Sequence, residues 1–434
     1  MPTNFSLKKQ ASLIVLGLFA VITTLAQSRE STLHALNQLL INTVMDDVYS
    51  PPVSARIYTY PTIAFYECIR AEDPGLPTLT GKLNDFHPIP AATKTIDHFI
   101  AACISFSRVG QALVGSEYKM EDWRTRFTDS LFKAGDKTLI DNSIAYGKLV
   151  ADSIIAWSKR DNYLRSRGLT RHVTSKKDGT WQPTPRDYVP GLEPNWRTIR
   201  PMVMKKASQF SPVKKLLYSS ARNSLFYKNM MEVYRISKTQ DSNNVTIARY
   251  WDDNPNVTII DGHLSYYIHK ISPGGHWVML ARQACQERNI PVTKAAQVYA
   301  LTNIAIFDAF ISCWDEKYKI DLVRPITVIN KFVDEKWDPI IETPPFPEFT
   351  SGHAVVSNAA ATVLTRILGE NYSFTDNTEI PFGLKTRSFT SFYKAAEESS
   401  WSRVYAGIHY PETARISIVQ GKQVGSYVLS LLYK

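Results

Sequence analysis

Residues 346–354 read FPEFTSGHA. Two further stretches carry the cationic and imidazole side chains that belong with it: KYKIDLVRP at residues 317–325 and SRVYAGIH at residues 402–409. A tetrahedral oxyanion needs cations at its oxygens, closely approaching backbone N–H donors, and imidazoles that bond its central atom or move protons. The three stretches supply all of these in a workable order. They are Lys317, Arg324, Ser351, Gly352, His353, Arg403 and His409.

Each stretch alone is a weak signal, because a lone Ser-Gly-His is usually a turn and spaced cations usually form a solvated face. Their joint occurrence is far less expected by chance. The pattern resembles the superfamily of type 2 phosphatidic acid phosphatases and vanadium-dependent haloperoxidases, whose signature runs K-x6-RP, PSGH and SR-x5-H. The resemblance spans residues 314–421, with Thr350 in place of the family's proline.

The resemblance implies a role for each signature residue. Ser351 and the Gly352 N–H would bind equatorial oxygens, and His353, at the start of a helix, would be the general acid–base. The remaining oxygens would be neutralised by three cations, Lys317, Arg324 and Arg403. Lys317 would also be catalytic, by polarising the peroxide toward halide attack. His409 would bond vanadium in a haloperoxidase or become phosphorylated in a phosphatase.

One position departs from the family pattern. The family has Asp four residues after the second histidine, where it holds the far ring nitrogen, and this chain has Thr413. Glu412 is adjacent but about 100° away around a helix. If Thr413 is a weak substitute, Thr413→Asp is expected to increase turnover; if Glu412 has taken over, its removal is expected to be damaging.

Two aromatic residues stand where chloroperoxidase-like members carry an aromatic beside the vanadate. They are Trp314 and Phe346, and the second position is histidine in the bromoperoxidases. Core packing explains both equally well. Of the other polar groups, His276 lies in a Pro-Gly-Gly loop and fits a structural histidine, while Asp252 and Asp253 are candidates to pair with Arg403.

These observations favour a vanadate-dependent haloperoxidase-like enzyme that uses hydrogen peroxide to oxidise halide. The alternative is a soluble acid phosphatase that hydrolyses a phosphate ester through a phosphohistidine and needs no metal. A catalytically weakened oxyanion-binding family member is the second alternative, because of Thr413. No nucleic-acid module accompanies the formal charge of +10, so an anionic small ligand is the simpler inference.

Composition and periodicity predict an all-α protein of two packed helical bundles. The chain is 44% apolar and 21% charged, as in ordinary globular proteins. Apolar residues recur at helical spacing over residues 293–315, with Lys317 just beyond. Similar patterns predict helices over residues 31–48, 91–106, 121–159, 219–238, 354–368 and 413–433.

The predicted organisation is a signal peptide (1–26), an N-terminal helical region (27–208) and a C-terminal helical domain that carries the oxyanion site (209–434). A Pro/Trp-rich packed loop over residues 168–212 marks the boundary. Lys8 and Lys9 precede the apolar run 11–26, which ends in small residues suited to cleavage. An exported protein, periplasmic or extracellular, is therefore expected, with no membrane span after signal removal. The four cysteines show no zinc spacing and fit small buried residues.

Overall fold

The computed structural model describes residues 28–133, 135–239, 241–261 and 264–433 of the chain. The predicted signal peptide, residues 1–26, lies outside the described residues. Within the described residues the helices are α1 (Arg29–Asp46), α2 (Pro51–Ile69), α3 (His98–Gln111), α4 (Glu117–Phe132), α5 (Lys137–Ser158), α6 (Tyr163–Arg167), α7 (Leu225–Thr239), α8 (Ser242–Tyr250), α9 (Pro273–Glu287), α10 (Val292–Ile320), α11 (Pro325–Phe332), α12 (Gly352–Leu368), α13 (Phe392–Tyr405) and α14 (Pro411–Leu432).

Strands are confined, in this part of the chain, to two small antiparallel hairpins. One pairs β1 (Asn256–Asp261) with β2 (Leu264–His269), and the other pairs β3 (Phe374–Asp376) with β4 (Arg387–Phe389). The all-α prediction is confirmed.

Helix α10 is the centre of the molecule. Every residue from 295 to 317 is buried, because a helix that is apolar on all faces is stable only when neighbours cover every face. Among the described residues it is the one helix long and apolar enough to cross a membrane, but its apolar window is 100% buried within the protein. It packs against α2 on one side and α12 and α14 on the other, and so joins the two bundles.

The N-terminal bundle is built from α2, α3, α4 and α5, and the C-terminal bundle from α10, α12, α13 and α14. Helices α12 and α14 approach closely because α14 carries Gly421 and Gly425 at the contact. A Cβ at Gly421 would lie 2.3 Å from the Val355 carbonyl oxygen, and one at Gly425 would lie 2.6 Å from that of Ala359. Glycine is therefore required for this helix spacing.

The Pro/Trp-rich loop is packed onto α10. Its residues Trp181 and Trp196 are fully buried. The carboxylate of Asp308, on α10, accepts the backbone N–H groups of Met202, Val203 and Met204 at 2.6, 3.0 and 3.0 Å. This fixes the loop against the bundle, while the domain division predicted near Gln209 stays a prediction.

Several predicted element bounds are wrong. The helix predicted over 121–159 is two helices, α4 and α5, separated near Gly135. The helix predicted from residue 91 begins at His98, where Asp97 accepts the Phe99 and Ile100 N–H groups as a cap. Lys317 lies within the last turns of α10 rather than beyond it. The Pro-Gly-Gly-His stretch opens α9 instead of forming a loop, since Ser272 caps that helix.

Candidate active site

The signature residues meet where the C-terminal end of α10 faces the N-terminal ends of α12 and α14. A small inner recess is lined by Gly352, His353, Arg403 and His409, together with the aromatic rings of Trp314 and Phe346. It adjoins a cavity of about 240 Å³ that also reaches His353 and Arg403. The three separate stretches of sequence thus form one site.

A glycine turn between α13 and α14 places His409. Gly407 has φ +86°, which an L side chain rarely adopts, and a Cβ there would lie 3.0 Å from the Trp337 ring. The turn closes when the Ile408 and His409 N–H groups donate to the Arg403 carbonyl oxygen at 3.1 and 3.2 Å. Arg403 and His409 are therefore held in fixed relative positions.

Glu348 orients the ring of His409. The imidazole Nδ1 lies 2.8 Å from Glu348 Oε1, and this carboxylate also accepts the Tyr410 N–H at 3.0 Å and the Thr413 hydroxyl at 2.9 Å. A carboxylate partner assigns the proton to Nδ1 and leaves a lone pair on Nε2. Burial raises the pKa of Glu348 to about 7 despite these donors and the nearby cations.

The prediction that Glu412 could hold the far ring nitrogen is therefore wrong. Its backbone N–H donates to Asn229, and its side chain pairs with Arg415 at 3.3 Å. Thr413 does not reach the ring either, but supports Glu348. Sequence reasoning missed Glu348 because the family pattern puts the carboxylate after the histidine; the available signal was one acidic residue in the stretch FPEFTSGH.

Arg324 lies against the Nε2 side of the same histidine. Its Nη1 donates to the Ile408 carbonyl oxygen at 2.8 Å and lies 3.2 Å from His409 Nε2, while its Nε donates to the Phe346 carbonyl oxygen at 2.9 Å. Burial lowers the pKa of His409 well below its usual value, and the charges of Arg324, Lys317 and Arg403 lower it further. The ring is consequently neutral.

Lys317 is buried beside this pair. Its ammonium donates to the carbonyl oxygens of Pro347, Glu348 and Thr350 at 2.9, 3.2 and 2.5 Å. Burial, and then the charge of Arg324, lower its pKa to about 7. Its three protons are engaged by the loop, so an oxyanion must displace one of these carbonyls to bond Lys317 directly.

Arg403 bonds the backbone rather than the carboxylates predicted for it. Its Nη1 donates to the carbonyl oxygens of Trp251 and Asp252 at 2.5 and 3.4 Å. Burial lowers the pKa of Arg403 to about 10, against the charges of Asp252 and Asp253. Asp252 itself pairs with Lys270 at 3.1 Å.

Four buried polar atoms of the signature residues have no hydrogen-bond partner: Arg324 Nη2, Ser351 Oγ, His353 Nε2 and Arg403 Nε. Buried donors without partners are costly and rare in folded proteins. Ser351 precedes α12 yet makes no side-chain cap bond, and its N–H donates to Ser417 Oγ at 2.9 Å. Two arginine donors, a hydroxyl and an imidazole nitrogen match the oxygens of a tetrahedral anion such as vanadate or phosphate.

His353 faces the cavity, and its side chain is 12% exposed. Burial lowers its pKa well below the usual value, and Arg403 and His276 add to this effect. A neutral imidazole at the helix N-terminus can accept a proton, which suits the acid–base role implied by the signature.

The two predicted aromatic residues belong to both the core and the site. Trp314 and Phe346 are buried, with ring centroids 5.0 Å apart. The Lys317 Nζ lies 4.7 Å from the centroid of the Phe346 ring and Arg324 Cζ lies 5.1 Å from it. The rings therefore cover the cations and keep water from them.

The arrangement defines a class of protein: a helical fold with an oxyanion pocket made of two neutral histidines and three buried cations. In comparisons with known proteins, residues 297–434 match the family model described as the VCPO second helical-bundle domain. A bacterial vanadium-dependent iodoperoxidase is 40% identical, with a TM-score of 0.88 over 93% of this chain and 97% of that one. No curated protein sequence matches the chain.

Two more distant structures share the fold. They are the holo and apo forms of a bacterial vanadium-dependent chloroperoxidase, at 16% and 14% identity. Their TM-scores are 0.67 and 0.63; the matches cover 89% and 88% of this chain and 95% of each of those chains. The protein belongs to the vanadium-dependent haloperoxidase superfamily.

Proposed function

We propose that this protein is a vanadate-dependent haloperoxidase that uses hydrogen peroxide to oxidise halide, with iodide as its preferred halide. The observation that carries the proposal is the set of unpartnered buried polar atoms on four signature residues, beside a neutral His409 whose Nδ1 is held by Glu348. Vanadate, when bound, supplies a Lewis-acid centre that activates peroxide toward halide attack, giving hypohalous acid.

The chain's own residues have distinct tasks. His409 Nε2 would hold the cofactor, while Ser351, Arg324 and Arg403 would bond its oxygens. Glu348 keeps the His409 proton on Nδ1, so that Nε2 stays a ligand. His353 is the group that can take a proton from peroxide, because it is uncharged and faces the cavity.

The preference for iodide is supported by the cavity that leads to His353 and Arg403. Its walls include the apolar side chains of Val48, Val189, Leu192 and Phe346. The same lining holds Arg403 and four acidic residues, Asp187, Asp252, Asp253 and Glu342. The apolar part of this wall admits an anion at a desolvation cost that falls with ionic size. Iodide is the largest of the three common halides and the easiest to oxidise, and the 40% identical relative is an iodoperoxidase.

The test is to purify the protein, remove bound anions, and assay it with and without orthovanadate. Oxidation of iodide, bromide and chloride by hydrogen peroxide is measured beside phosphomonoester hydrolysis. We expect iodide oxidation that depends on vanadate, with the highest kcat/KM for iodide. Phosphomonoester hydrolysis that vanadate inhibits, without halide oxidation, would instead establish the phosphatase.

Two variants distinguish loss of the proposed site from a general effect of replacing a histidine. His409→Ala removes the sole imidazole held by Glu348 in this site and is expected to abolish both vanadate retention and turnover. His87→Ala is the matched control, because His87 is exposed and pairs with Asp85 on the surface. Near-wild-type activity in His409→Ala would reject the site assignment.

Export is a separate proposal. Lys8 and Lys9 followed by the apolar run 11–26 support a secretory signal cleaved after Ala26, and we propose that the mature enzyme is periplasmic or extracellular. The four cysteines are buried and free. Intact mass of the protein from each cell fraction tests it: an unprocessed chain in the cytoplasm alone would contradict export.

A further inference from the structure

A third histidine lies near His353, in the first turn of α9. His276 is fully buried, and both of its ring nitrogens contact carboxylates: Nδ1 lies 3.0 Å from Asp253 Oδ1 and Nε2 lies 2.9 Å from Asp376 Oδ2. Its ring stacks on Trp251, with centroids 4.5 Å apart and an interplanar angle of 16°. A ring held between two carboxylates and over an indole is best occupied by the doubly protonated imidazolium.

Asp253 connects this histidine to the site. Its Oδ1 faces His276, and its Oδ2 lies 3.8 Å from His353 Nε2, the nitrogen that has no hydrogen-bond partner. The backbone of Asp253 has φ +42°, a conformation that only surrounding contacts maintain in a non-glycine residue. The contact between His276 and Oδ1 therefore directs Oδ2 of the same carboxylate toward His353.

The far side of His276 is anchored to the second hairpin. Asp376 ends β3, and its Oδ1 accepts both the N–H and the hydroxyl of Thr378 at 2.9 and 2.7 Å. The Thr378 hydroxyl also lies 2.8 Å from His276 Nε2. Glu379 approaches Nδ1 at 3.7 Å. The charged groups around His276 and Asp253 are Asp252, Lys270, Asp376, Glu379 and Arg403, and Tyr250 packs on the ring edge.

We propose that His276 is a positioning residue of the reaction: clamped between Asp253 and Asp376, it fixes the carboxylate that faces His353 and so keeps that imidazole in one orientation toward the cavity. Without the clamp, Asp253 is a buried carboxylate free to turn toward Arg403, which lies on the same side of the site. The cofactor's own ligands do not depend on the clamp, because His409 is held separately by Glu348.

This inference rests on the proposed function, because the rate of halide oxidation is one of its measurements. In His276→Gln we expect kcat to fall roughly tenfold or more, the scale for loss of a supporting partner, while the vanadate Kd stays within about threefold. His34→Gln is the matched control. His34 is also buried, and it bonds a single partner, Tyr299, at 2.7 Å outside the site.

Two further measurements keep the inference falsifiable if His276→Gln folds poorly. Nitrogen-15 spectra of the wild-type histidines, before vanadate is added, are expected to show one ring with both nitrogens protonated from pH 6 to pH 8, and Asp376→Asn is expected to weaken that signature. In a double-mutant cycle, we expect the variant that combines His276→Gln with Asp253→Asn to have a kcat no lower than that of Asp253→Asn alone.

Three results would overturn the inference. One is a kcat in His276→Gln equal to that of His34→Gln. Another is strict additivity of the Asp253 and His276 effects. The third is one divalent metal ion per chain, lost in His276→Gln, since the cluster of Asp253, His276 and Glu379 would then be a metal site. If the wild-type protein does not bind vanadate, the proposed function is contradicted instead. The nitrogen-15 spectra are recorded without vanadate, so they test the inference about His276 separately from the proposed function.

Discussion

Thr413 and Glu348 are joined by a hydrogen bond from the Thr413 hydroxyl to Glu348 Oε2, 2.9 Å long, while Oε1 of the same carboxylate holds His409. The position at which related chains carry a carboxylate thus supplies a donor here, and the carboxylate comes from the loop before α12. The two residues form one unit that orients the His409 imidazole.

Replacing Glu348 tests this unit most directly. Glu348→Gln keeps the shape but removes the charge that fixes the His409 proton on Nδ1, and we expect vanadate affinity to fall about 10–100-fold. Equilibrium dialysis with vanadium analysis gives the Kd. Glu412→Gln is the matched control, because the Glu412 carboxylate pairs with Arg415 and its backbone N–H donates to Asn229 rather than to the His409 unit; equal losses in both variants would refute the assignment.

The structure reverses the expectation that Thr413→Asp increases turnover. An aspartate there would face Glu348 at hydrogen-bonding distance, and two adjacent buried carboxylates do not ionise together. We expect lower vanadate affinity and lower kcat. Thr413→Val removes only the donor and is expected to cost about 1 kcal/mol of binding free energy. An active Thr413→Asp variant would mean that Glu348 has been displaced from the ring.

The cation cluster makes a third prediction. Arg403→Ala removes one partner of a desolvated charge pair, so vanadate or phosphate binding is expected to weaken by roughly 2–4 kcal/mol. Calorimetric titration measures the change, and thermal unfolding checks that the fold survives. Arg415→Ala, which removes a half-exposed arginine from the surface of α14, is the control. Unchanged affinity in Arg403→Ala would reject the cluster.

Proton uptake should accompany anion binding. The pKa of Lys317 is lowered to about 7 in the absence of an anion, and an adjacent oxyanion raises it. At pH 8 the lysine is mostly neutral before binding and becomes protonated on binding, so affinity is fully present below pH 7 and falls as pH rises toward the new pKa. Calorimetry in two buffers of different ionisation enthalpy measures the uptake, which should be smaller in Lys317→Met. Equal proton uptake by the wild-type protein and Lys317→Met would show that Lys317 is not the group that takes up the proton.

The turn before α14 makes a fifth prediction. In Gly407→Ala the new Cβ meets both a left-handed backbone and the Trp337 ring at 3.0 Å, so we expect a loss of stability of more than about 1 kcal/mol and weaker vanadate binding. Gly383→Ala is the matched control, since Gly383 has φ +80° with open space around it. It carries the same backbone strain but lies away from His409. If both variants bind vanadate alike, the turn does not position the ligand.

The sequence predicted the signature residues because their chemistry is local: a cation, a Ser-Gly-His and a distant histidine can be recognised without coordinates. Helices with one apolar stripe, such as α1 and α14, were predicted for the same reason. Helix α2 was not predicted, because nearly all of its residues are buried and Pro61 lies inside it, so neither periodicity nor propensity marks it. Glu348 was missed because its partner, His409, is 61 residues away and only the fold brings them together.

Helices α12 and α14 touch through two positions that have no side chain, Gly421 and Gly425. Gly421 lies roughly 15 Å along the helix axis from Pro411, the N-terminal end of α14 beside His409. A methyl group at either position would push α14 away from α12 and so shift His409, which lies just before the N-terminal end of α14. An engineering library that keeps only the residues lining the recess unchanged would still substitute Gly421 and Gly425, and with them the helix contact that holds His409 in place.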